Sequence, residues 1–235
     1  MKITAEQEAF ALKLIDGALS IFENADRLFY EGGVLADVDA FPRAYLMHQI
    51  SMEECGKIEI LGAAVVQCLS GEEVSVKSIK SAFRLHESKN KMNAYFLPRS
   101  EAEIAAIEAD DAAAAVSAFK AVQKDFHEES NGLKNSSLYV DFKDEFVTPQ
   151  DSISKDDYER IRSLNAEFMS LNSLKVKMLS RWKADLSSSA DEIQEMLLLL
   201  KKDDTQERPT LKAREEMVEG LIKALADSRS ARSGE

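Results

Sequence analysis

A chain of 235 residues with 45% hydrophobic and 31% charged residues is long enough to bury a substantial core, and its composition is that of a folded soluble protein. Only 9 Gly and 4 Pro are present, too little turn chemistry for a many-stranded sheet protein, so long helices are expected. A formal net charge of −12 argues against broad, non-specific binding to nucleic acid, although a local basic face can still meet phosphate. No stretch reaches the roughly 18 apolar residues of a membrane span, and the N-terminal residues from Met1 to Glu6 lack the apolar core of a signal peptide. The expected location is the cytoplasm, with no membrane partner.

Phe10, Leu14, Ala18, Ile21 and Leu28 predict a first helix from an N-cap at Thr4 to about Tyr30, ended by Glu31-Gly32-Gly33. Asp39 and Pro42 mark the start of a second helix that runs to about Leu69 and stops at Ser70-Gly71. Its stripe of Met47, Ile50, Ile58, Leu61 and Val65 includes Glu54, so a carboxylate is expected among apolar side chains. Burial of an unpaired carboxylate costs several kcal/mol in practice, so a cation must meet it. Cys55 and Cys68, both in the apolar pattern, read as small buried hydrophobes. Two cysteines and three histidines supply no zinc spacing, and no metal or cofactor is expected.

A third helix is predicted from Val76 to Leu97, with His86 and Asn90 on its inward stripe. Lys77, Lys80, Arg84, Lys89 and Lys91 make it locally cationic. His86 is the first choice of partner for Glu54 and Lys89 the second. This constellation reads either as a structural ion pair between two helices or as an acid/base and phosphate-binding cleft. Glu54 and His86 are the candidate catalytic pair, and Glu53, Lys57, Arg84, Lys89 and Lys91 the candidate binding groups around them.

Ser100 and Glu103 form a capping box for a fourth helix reaching past Phe126. Periodicity is then lost from Asn131 to Ser154, where Gly132, Asn135, Ser136 and Pro149 flank the extended-looking run Leu138-Tyr139-Val140-Asp141-Phe142. A connection of that length is usually functional or mobile, which adds Asn135, Tyr139 and Asp141 to the binding candidates. Tyr158, Ile161, Leu164, Phe168, Leu171, Met178 and Trp182 define a long fifth helix. Shorter amphipathic segments follow at about Ile193 to Leu200 and Leu211 to Leu225, so a bundle over 1–186 is expected to precede C-terminal helices and a disordered tail over 187–235. Their surplus apolar faces point to a homodimer.

Asn24-Ala25 with Leu28, Arg43-Ala44, Glu53-Glu54-Cys55-Gly56-Lys57, the segment from Phe83 to Lys91, and Leu138 to Phe142 with Pro149 together resemble the AbiV family, over about Ile15 to Asp151. The family is grouped with the all-helical HEPN superfamily. The resemblance implies an all-α, HEPN-like bundle and an abortive-infection function. That function blocks phage propagation by acting on a phage protein, on translation or on RNA. Many HEPN proteins are metal-independent ribonucleases that use an Arg followed four to six residues later by a His. Arg43 and His48 stand at that spacing and are the second choice of catalytic pair, although five residues of helix turn them about 140° apart. A non-enzymatic protein that binds a phage or translation-machinery protein is the alternative.

Overall fold

In the computed structural model the chain is an all-α bundle, described over residues 3–142 and 144–193. Helix α1 spans Ala5–Ala36, α2 Phe41–Leu69, α3 Val76–Arg84, α4 His86–Ala94, α5 Glu101–Glu108, α6 Ala112–Ser136, α7 Pro149–Ser152 and α8 Lys155–Ala184. Residues 186–193 are helical again. A two-stranded antiparallel hairpin, β1 Asp141–Phe142 with β2 Phe146–Val147, interrupts the helices after α6.

Helix α2 is the centre of the bundle, packed on α1, α8, α4 and α6. Neighbours on several sides bury more than half of its residues, including His48, Gln49, Ser51 and Glu53 among the apolar ones. One apolar cluster joins Ile15, Ile58, Val65 and Leu69 to Leu179 and Trp182 and extends to Leu186 and Ile193. The second joins Ala25, Tyr45, Met52 and Cys55 to Phe96, Phe168 and Leu171. Both cysteines are free and buried, and burial pushes the Cys55 thiol up to about 12. No described helix is long and apolar enough to cross a membrane.

The start signals hold. Thr4 and Ser100 close capping boxes with Gln7 and Glu103, and Pro42 sits in the first turn of α2. Several stop signals do not. Helix α1 continues through Gly32 and Gly33 to Ala36, because Gly32 is needed where α1 meets His48: a Cβ there would lie 2.9 Å from Nε2. The predicted third helix is two helices divided at the extended residue Leu85 (φ −91°, ψ 117°). The predicted fourth is also two, divided by Asp110 in the left-handed region (φ 53°), and α6 then runs on through Asn131 to Ser136. The fifth predicted helix is α8. The predicted segments beyond Ile193 lie outside the described residues.

Candidate functional site

Glu53, not Glu54, carries the buried carboxylate. Its side chain is 5% exposed, and Oε2 accepts a hydrogen bond from Lys89 Nζ at 2.8 Å while Oε1 accepts one from Lys134 Nζ at 3.0 Å. His86 Nδ1 lies 2.6 Å from Oε2. An ionised carboxylate only accepts, so at that distance Nδ1 carries a proton, and Nε2 is the ring nitrogen that carries the lone pair whenever the imidazole is neutral. Burial alone would raise the Glu53 pKa, but the hydrogen bonds from Lys89, Lys134 and His86 outweigh it and hold the carboxyl below its ordinary value. Two ammonium groups against one carboxylate leave the cluster with an excess of positive charge. The His86 side chain is 53% exposed, so this charge stands beside an imidazole at the surface.

The motif around Glu53 explains how three helices converge on it. Gly56 lies one turn further along α2, on the Glu53 face, and a Cβ there would be 2.9 Å from the Lys89 carbonyl and 3.2 Å from its Cα. Only a missing side chain lets the α4 backbone come that close. Asn93, one turn beyond Lys89, is fully buried and donates from Nδ2 to the Met52 carbonyl at 2.8 Å, fixing the register of α4 on α2. The break at Leu85 places His86 in the first turn of α4, three residues before Lys89 and on the same face. Lys134 reaches the site from the last turns of α6.

The other expected residues fall in several places. Glu54 pairs with Lys57 on its own helix, and the Lys57 ammonium lies 5.7 Å from the Phe83 ring centroid. The expected Glu54 contact with His86 or Lys89 is therefore corrected to Glu53, one residue and about 100° of helix away. Arg84 is exposed, and Lys91 pairs with Glu87 at 2.7 Å. Arg43 donates to the Ser137 and Leu138 carbonyls at 2.6 and 3.1 Å, closing the C-terminus of α6. His48 lies apart from it, fully buried, with Nδ1 3.2 Å from Asn165 Nδ2 and its ring edge-on to Phe29. Burial lowers the His48 pKa to about 4, with a smaller contribution from Arg162. The pair thus serves a helix end and the core in this conformation. Asn135 is exposed and its carbonyl accepts from the Leu138 and Tyr139 amides, while Tyr139 and Asp141 stand exposed at the hairpin.

Lys134 and His127 were not legible as site residues. Lys134 lies where the helical pattern is lost, and His127 lies on the fourth predicted helix within the charged run Lys124-Asp125-Phe126-His127-Glu128-Glu129, which reads as a solvated face. The only available signal is their spacing of seven residues, two turns of α6, which sets both on one face. Among the described residues no group of His, Cys, Asp and Glu is arranged to hold a metal ion.

A family model described as AbiV, of the HEPN group, matches residues 13–170. An uncharacterized protein, y4gJ, of Sinorhizobium fredii (strain NBRC 101917 / NGR234) is 36% identical over 112 residues, which cover 47% of this chain and 58% of that protein. The chain thus spans little more than half the length of that relative. No solved structure matches.

Proposed function

The chain belongs to the AbiV family, and from this we propose that it is an antiphage effector of the abortive-infection type that blocks phage propagation by cleaving RNA and so arresting translation. The observation that supports an RNA-directed site is the Glu53 and His86 pair: an imidazole oriented at Nδ1 by a buried carboxylate, half exposed, with Lys89 and Lys134 beside it. Cleavage by the neighbouring 2′-hydroxyl needs a base for its proton and a cation near the charge that develops on phosphate. His86 Nε2 would be the base, with Glu53 holding the ring. Arg84, exposed one residue before the helix break, would meet phosphate. The protein would act in the cytoplasm as a homodimer, set off by a phage protein.

One observation favours a second, non-enzymatic reading. Lys89 and Lys134 are themselves buried, with side chains 6% and 14% exposed, so the cluster also ties α2, α4 and α6 together. As a latch it would hold the exposed hairpin in the shape that a phage or translation-machinery protein reads.

His86→Ala separates the two. On the enzymatic reading it abolishes phage protection and degradation of total cellular RNA while the melting temperature stays near wild type, because a positioned base contributes typically 10²- to 10⁴-fold in rate. On the latch reading protection falls only with stability. A His86→Ala protein that keeps full protection and full stability sinks both.

A further inference from the structure

His127 is held much as His86 is, on the helix that faces it. Its Nδ1 lies 3.3 Å from Asn90 Nδ2, and Asn90 is 1% exposed. Glu87, whose carboxyl is held below its usual range first by the Lys91 hydrogen bond, lies one turn before Asn90. Glu87 and Asn90 both belong to α4, which begins at His86. Asn90 follows His86 by four residues, about 6 Å along the axis and on the same face. The two imidazoles are thus tied to α4 at positions four residues apart, one as part of α4 and one reaching it from α6, each with Nδ1 engaged.

Asn90 has a second peculiarity. Its Oδ1 is buried and meets no hydrogen-bond donor among the described residues. A half-turn of the amide presents Oδ1 instead of Nδ2 to His127, which then donates from Nδ1. In that orientation Oδ1 accepts from Nδ1–H both in the imidazolium and in the neutral ring that has given up its Nε2 proton, so Asn90 can hold His127 on both sides of that transfer.

We propose that His127 is the second catalytic residue of the site and that the surface along the seam of α4 and α6 binds an RNA phosphodiester between the two imidazoles. This rests on the reading of Glu53 and His86 as an RNA site and goes beyond it in assigning the acid. His86 Nε2 takes the proton of the 2′-hydroxyl as its oxygen forms a bond to phosphorus. The bond from phosphorus to the 5′-oxygen breaks, and that oxygen takes the proton from His127 Nε2. The products are a 2′,3′-cyclic phosphate and a 5′-hydroxyl, with no co-reactant. Attacking and leaving oxygens lie on opposite sides of phosphorus in such a displacement, which is why two separated imidazoles suit it and one does not. Asn90 is a positioning residue that acts through His127.

The chain has three histidines, and buried His48 is an internal reference for the other two. Titration of the full chain with uridine 3′-monophosphate, followed by the imidazole proton resonances, should move His86 and His127 along saturable curves and leave His48 in place. Movement of His86 alone overturns the role of His127 and leaves the Glu53 and His86 site standing; movement of neither overturns both. Cleavage kinetics test the acid directly. His127→Ala and His127→Gln should slow cleavage of uridylyl-3′,5′-adenosine by about 10²- to 10⁴-fold. They should largely spare uridine 3′-(4-nitrophenyl phosphate), whose leaving group needs no proton, whereas His86→Ala should slow both. An unshifted His48 resonance in each variant reports the intact fold. Equal loss on both substrates, no loss on either, or a wild-type protein that cleaves neither overturns the proposal.

Discussion

Glu53→Gln removes one charge at nearly constant volume and leaves Lys89 and Lys134 facing each other without a counterion. Breaking a buried ion pair by removing one partner costs about 3–5 kcal/mol, mainly because the remaining charge is stranded. Two stranded ammonium groups do not double that figure here. Lys134 is the more exposed, at 14% against 6% for Lys89, and its flexible stem lets its head move toward water. For a chain of this size a kcal/mol corresponds to about 2–4 °C in melting temperature, so a fall of about 6–20 °C is expected. The effect is pH-dependent with a definite sign. Because the folded Glu53 carboxyl is held below its ordinary value, its contribution is complete above that value and is lost as the pH falls through the lowered one. Wild type and variant should therefore converge in acid. Thermal and urea unfolding followed by circular dichroism at neutral and acid pH measure both. Glu54→Gln is the control, since its partner Lys57 is one turn away on the same helix and part-exposed, and a loss below about 1 kcal/mol is expected. If Glu53→Gln and Glu54→Gln unfold at the same urea concentration, the buried network does not carry the stability assigned to it.

Gly56→Ala should destabilise by about 1–3 kcal/mol, since its Cβ would meet the Lys89 backbone at 2.9 Å and backbone cannot rotate away; the same variant should shift the His86 imidazole resonances, and a silent spectrum would speak against close approach of α4. His48 stays neutral in the fold down to about pH 4 whereas the unfolded ring binds a proton from about 6.5, so stability should fall by about 3 kcal/mol as the pH drops between those values. His48→Gln should flatten that limb, and an unchanged pH profile would refute the assignment. Light scattering at micromolar concentration should give twice the mass of the 26.2 kDa chain, and a monomer mass would remove the dimer from the proposed function.

The N-cap at Thr4, the capping box at Ser100, the length of α2 and the stripe of α8 follow from local chemistry and could be read directly. The identity of the buried carboxylate could not, because stripe reasoning assumes a helix with one wet side. Helix α2 is covered on several sides, so Glu53 and Ser51 are as buried as Ile58 although they lie off the apolar stripe. The division at Leu85 carries no Gly or Pro, and the contacts of Lys89 and Asn93 with α2 set the path of α4 instead. Conversely, Gly32 and Gly33 look like a stop but sit within α1, where close packing on His48 outranks the cost of glycine in a helix. Tertiary contact decided each of these, and no window of neighbouring residues contains it.

The three partners of Glu53 follow it by 33, 36 and 81 residues. Synthesis proceeds from the N-terminus, so a growing chain carries Glu53 well before Lys134 and cannot assemble the site from a short piece. A truncated or prematurely released product that stops before α6 would have the carboxylate and the α4 cations but neither Lys134 nor His127. For a protein proposed to act against its own cell's RNA, the order of residues along the chain is then a safeguard in time: the ribosome has made most of the bundle before the site exists.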